Sequence, residues 1–174
     1  MVQKSITERP APPEPTVKRP RYSAQTLFVA RVIYSETSSI GTDEEKLAIC
    51  HVIQNRINNR AFGNGRLSNP YLVCSQPRAF TCVNSTKNIN WRNFKPYLNN
   101  FTIQACHLAQ DLTNDELSGE DWMNEIVYYH DKSIEKPAKW DNKFWKAVLV
   151  KETKHFKFYK IIPNKSKAKK RGRR

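Results

Sequence analysis

The segment QTLFVARVIYSE, residues 25–36, constrains this chain most. Between Gln25 and Tyr34 only Gln25, Thr26 and Arg31 are clearly polar. Leu27, Ala30 and Tyr34 mark one helical face, but Phe28, Val29, Val32 and Ile33 fill most of the others. A helix apolar nearly all round is a buried one, so the rest of the chain must wrap it. Ser23 is placed to cap this helix, which is expected to run through Tyr34. Glu36 then follows at the carboxyl end. There the negative pole of the helix dipole and partial burial both disfavour the charged form. A carboxyl so placed suits a proton donor. The plain alternative is a solvated turn glutamate paired with Arg31.

The wrapping elements are legible downstream. TDEE is a capping box, with Thr42 at N-cap and Glu45 at N3. Asp43, Glu44 and Glu45 suit the positive start of that helix, and Arg56 and Arg60 suit its end. Ile49, Ile53 and Ile57 repeat every fourth residue, with Leu47 and Cys50 beside them. Residues 61–69 read as a loop, and Asn69-Pro70 opens a short helix. Residues 75–97 are aromatic-dotted and irregular. A helix resumes near Asn100, burying Ile103, Cys106, Leu108, Ala109 and Leu112, and Gly119 closes the segment. After it the signal turns to strands: IVYYH, then AVLV and FKFYKII flanking ETKH as a hairpin. The fold class is α+β, mainly helical, with a small antiparallel sheet late in the chain.

Charge divides the chain further. Of the net +14, residues 163–174 hold +7 and residues 1–21 hold +3, leaving +4 on residues 22–162. The first segment, rich in proline, reads as an arm, the middle as one catalytic domain, and the last as a disordered basic tail. Such a tail favours polyanions: nucleic acid, anionic lipid or anionic envelope polymers. No apolar run reaches the ~20 residues of a membrane span, and no signal peptide is visible in the N-terminal residues. Cys50, Cys74, Cys82 and Cys106 are too few and too spread for a disulfide scaffold, and without a CxxC pair a zinc site is not expected. Cys50 and Cys106 fall on apolar helix faces as buried thiols. If oxidised, the four leave three pairings open.

ARVIYSE, LAICHVIQNR, SQPRAFTCV, VYYHDKS and KHFKFY, in that order, together resemble the spore-cortex-lytic, cell-wall hydrolase family, over about Phe28 to Tyr159. The resemblance implies a lysozyme-like fold and a lytic transglycosylase acting on peptidoglycan glycan strands. It places Glu36 at the catalytic glutamate, with Asn55 and Arg56 as buttresses or helix caps. Gln76 and Phe80 match its QPxxF segment and would line the glycan groove. Tyr128 and Tyr129 alternate on a strand, so one should face the groove and one the core. His130 and His155 are further binding candidates, the second near the hairpin turn. Thr37 departs from the family, standing where a small residue is common. Absence of a leader suggests a phage lysin, released by a holin or carried in the virion and acting at the bacterial cell wall.

Glycan hydrolysis usually needs two carboxylates, and the resemblance supplies only Glu36. A single-acid route forms a 1,6-anhydro ring on the muramic acid instead. It requires no cofactor and no metal, and no HExxH or Asp cluster offers a metal site. No obligate protein partner is evident. Asp131 and Asp141 lie near the late strands without a role and bear on the alternative, a hydrolytic muramidase or glucosaminidase. Two other classes compete: a basic nucleic-acid-binding protein, with INWRNFKPY stacking bases, and a glycan-binding module without catalysis. The first has no known motif, and Glu36 argues against the second.

Overall fold

The computed structural model describes residues 20–164, apart from 39, 60, 61, 63, 64 and 84. The arm and tail therefore lie outside the described residues except for Pro20, Arg21, Pro163 and Asn164. Arg60 is outside them too.

Helix α1 spans Ala24–Thr37, and the Ser23 hydroxyl accepts from the Thr26 amide at 3.0 Å. It runs three residues past Tyr34, so Glu36 sits in its last turn rather than after it. The Thr37 hydroxyl donates to the Ile33 carbonyl at 2.8 Å, which lets a polar residue finish a buried turn. Val29, Ala30, Val32 and Ile33 are fully buried. The helix packs against α2 (Asp43–Asn58), α3 (Pro70–Ser75), α4 (Ile89–Asn93) and α5 (Asn100–Asn114). Its apolar sides are thus covered from four directions, as its composition demands.

Both bonds of the capping box form at the start of α2, and Asn69 caps α3. Two expectations need correction. Residues 75–97 contain α4, capped by the Asn88 side chain, which a five-residue helix is too short to announce by periodicity. Helix α5 ends not at Gly119 but at Asp115, which takes the left-handed conformation (φ 61°) that glycine usually supplies. Gly119 serves a different need. A Cβ there would lie 2.6 Å from His51 Nε2 and 2.8 Å from Met123 Sδ. Gly119→Ala is expected to cost about 1–3 kcal/mol through this overlap, seen as a lower urea midpoint with an unchanged slope.

Three strands form one antiparallel sheet in the order β1-β3-β2: β1 (Tyr128–Asp131), β2 (Trp145–Glu152) and β3 (Phe156–Pro163). Tyr129 stands opposite Phe158, and a bulge interrupts the β2–β3 register between Leu149 and Lys151. The ordered sheet extends past residue 162, with the Asn164 amide donating to the Phe144 carbonyl at 2.9 Å. All four cysteines are free and buried. Among the described residues no helix is long and apolar enough to cross a membrane.

Candidate active site

The end of α1, the turn after α3 and strand β1 enclose a cleft of about 710 Å³. Glu36 lines it, and three donors converge on its carboxyl. The Cys82 amide and the Thr81 hydroxyl donate to Oε1 at 3.1 and 3.4 Å. The Tyr129 hydroxyl donates to Oε2 at 2.9 Å. Arg31 is turned away: its guanidinium lies 4.2 Å over the Trp91 ring and its Nε donates to the Trp91 carbonyl. The solvated-turn reading of Glu36 therefore fails, because the carboxyl is held by residues distant in sequence. Burial, and then the negative charge of Glu36, push the Tyr129 phenol well above its ordinary range, so it remains a protonated donor.

The Asn-Arg pair ending α2 sets these walls in place. Asn55 donates to the carbonyls of Met123 and Ile126, both at 2.8 Å. Arg56 donates to the Val127 carbonyl at 2.9 Å and to the Ala79 carbonyl at 3.4 Å. Its guanidinium is buried within 5.7 Å of the rings of Phe62, Phe80 and Tyr128. One residue thus reaches β1's approach and the turn after α3, rather than capping its own helix.

Every binding residue expected from sequence lines this cleft: Gln76, Phe80, Tyr128, Tyr129, His130 and His155. Their situations differ. Phe80 is buried and packs against Tyr129 with ring centroids 6.4 Å apart. Tyr128 and Tyr129 do not divide between groove and core, since both line the cleft. Tyr129 also packs on Phe156 and Phe158, so it fills the core with its ring and the cleft with its hydroxyl. His130 is buried, with Nδ1 2.7 Å from the Asp131 carbonyl and Nε2 2.9 Å from the Tyr159 hydroxyl. Both ring nitrogens are engaged, and the ring stacks on Tyr159 with centroids 5.3 Å apart.

His155 is tied to Glu45, a fully buried carboxylate. Glu45 accepts from the Thr153 hydroxyl at 2.6 Å, the His155 amide at 2.7 Å, His155 Nδ1 at 2.9 Å and the Thr42 amide at 2.9 Å. An ionised carboxylate only accepts, so Nδ1 carries the hydrogen. The cluster joins the start of α2 to the β2–β3 turn. Burial pushes the Glu45 carboxyl up, but these four donors outweigh it and hold it at about 2.

Three cleft features escaped the sequence reading. Trp140 stacks flat on Tyr128, with centroids 4.6 Å apart and an 8° interplanar angle. Its signal was a single tryptophan in the Lys-rich stretch KPAKWDN. The Cys82 amide is a backbone donor and leaves no side-chain signature. The buried Ser35 hydroxyl lines the cleft and has no hydrogen-bond partner among the described residues. Of the two unplaced aspartates, Asp131 lines the cleft and Asp141 does not; Asp141 pairs with Lys136 at 2.7 Å. No group of metal-binding side chains occurs among the described residues.

Residues 41–159 match the model of the cell wall hydrolase family. The chain belongs to that family. It is accordingly a peptidoglycan-acting enzyme that works at the cell wall. The matched stretch begins after Glu36, so the role of that residue rests on its geometry. No curated protein and no solved structure matches the chain.

Tyr129→Phe is expected to remove one of the Glu36 donors while keeping the ring packing. A lost hydrogen bond to a charged group is worth about 1.5–3 kcal/mol. Turnover on purified peptidoglycan should fall about 10- to 100-fold with parent-like circular dichroism, and thermal unfolding should fall modestly, because the same bond ties β1 to α1 in the resting fold.

Proposed function

We propose that this cell wall hydrolase is a lytic transglycosylase. It cuts the bond from N-acetylmuramic acid to N-acetylglucosamine with Glu36 as its single acid and base. The observation that carries this reading is the convergence of Tyr129, Thr81 and the Cys82 amide on a carboxyl lining the cleft. Glu36 gives its proton to the glycosidic oxygen as the C1–O bond breaks. The donors then receive the carboxylate that this step creates. The carboxylate next takes the proton of the muramyl C6 hydroxyl, whose oxygen attacks C1. The bond formed closes the 1,6-anhydro ring, and Glu36 is protonated again.

Sugar rings would lie against the Tyr128–Trp140 stack, and Gln76 and Ser35 would meet their polar groups. The seven cations of the tail would hold the enzyme near anionic envelope polymers.

Hydrolysis is the second reading, and Asp131 is the residue that favours it. Its carboxylate lines the cleft and is held below its usual range by the Ser133 hydroxyl and amide. Those same bonds, at 2.6 and 2.8 Å, tie its Oδ1 into the turn after β1, so only Oδ2 is left to direct a water. Mass spectrometry of digested peptidoglycan decides between the two. Anhydro-muropeptides are expected. Products one water heavier throughout would establish hydrolysis and make Asp131 the next residue to replace.

A further inference from the structure

Arg78 sits at a costly place. The Ala79 amide donates to the Gln76 carbonyl at 3.1 Å, with Pro77 second in the turn and Arg78 third at φ 63°. Proline second and a positive φ third define a type II turn, whose third position favours glycine or asparagine. An arginine there holds a strained backbone conformation that either of those would relieve. Its side chain lines the cleft. In the short 3-10 helix Ala138–Trp140 after β1, Lys139 lines the same cleft. Both residues are exposed, and among the described residues neither forms an ion pair. The cleft's own carboxylates are otherwise engaged: Glu36 by its three donors and Asp131 by Ser133.

The sugars of a glycan strand are neutral. Neutral donors suffice for hydroxyls and acetamides, whereas the full attraction of a cation is realised only toward an anion. The anions a peptidoglycan strand carries beside its sugars are carboxylates. They stand on the lactyl arm of muramic acid or on the stem peptide attached to it.

We infer that Arg78 and Lys139 form a carboxylate-binding subsite, which makes the enzyme selective for strands with a charged muramyl substituent. The inference rests on peptidoglycan as the substrate but not on the fate of the anomeric carbon.

The test is binding to Glu36→Gln protein, which removes turnover. Three soluble strands of equal length are compared: peptide-bearing, peptide-stripped with a free lactyl carboxylate, and stripped with that carboxylate converted to a neutral methyl amide. Two exposed charge pairs together are worth roughly a two- to thirtyfold change in affinity, so a Kd lower by that factor for a charged strand than for the neutral one is expected at low salt. The advantage should shrink as salt rises. Arg78→Asn keeps a turn-compatible residue, and with Lys139→Gln it should bring the ratio close to one, whereas Arg78→Lys should retain it. A preference for the peptide-bearing strand alone assigns the subsite to the stem peptide; a preference for the stripped acid alone assigns it to the free lactyl carboxylate, which the peptide bond consumes; a preference for both shows that it takes either carboxylate. Equal Kd values for all three strands, or a ratio that survives the double substitution, would overturn the inference. Product analysis with the parent enzyme on the same strands reads the reaction separately. Anhydro products with equal Kd values would refute the subsite alone, and a Kd preference without product would refute the reaction alone.

Discussion

Glu36→Gln is expected to lower peptidoglycan clearance by at least the ~10²–10⁴-fold typical of one general acid, because in the proposed route the same group serves both proton transfers. Glutamine keeps the size of the side chain and can still accept from Tyr129 or from Cys82. It has no proton to give, and its amide nitrogen faces one of those donors. The fold should survive, since the buried faces of α1 do not include residue 36. The measurement is initial clearance rate beside circular dichroism and thermal unfolding. Parent-like clearance by folded Gln protein would remove Glu36 from the mechanism and leave the cleft without its acid.

The largest effect on stability is expected at Glu45, away from the chemistry. Its folded carboxyl sits at about 2, against an ordinary 4.5. A group depressed by folding adds stability above its unfolded value and loses it as pH falls toward the folded one. The displacement corresponds to about 3 kcal/mol at neutral pH. It should be fully present above pH about 4.5 and nearly gone at about 2. Glu45→Gln mimics the protonated form, because its amide nitrogen must face donors on one side. One of those is the Thr42 or the His155 backbone amide. The variant should therefore be weaker than the parent by several kcal/mol at pH 7, with the gap closing below pH 3. Urea midpoints for both proteins across that range check it, and a gap independent of pH would contradict the linkage.

Much of this was readable from the chain because local signals and global needs coincide. The all-round apolarity of α1 demanded several covering helices, and four cover it. Thr42 and Glu45 announced α2 because both halves of a capping box lie within four residues. What stayed hidden depends on long-range approach. Glu45 reads as a cap residue, yet its other partners come from Thr153 and His155, more than a hundred positions away. Gly119 reads as a helix stop because glycine usually is one, but its small size admits His51. The donors on Glu36 were illegible since one is a backbone amide and another, Tyr129, looked like either face of a strand.

Arg56 grips the carbonyls of Ala79 and Val127, one on each side of the cleft, from a single helix end. One side chain therefore ties both walls to the same helix end. Little loop ordering is expected to accompany capture of a strand. Free and occupied enzyme should differ mainly in side-chain rotamers at the rim. The glycan, being the more pliable partner, is then the one that bends to fit.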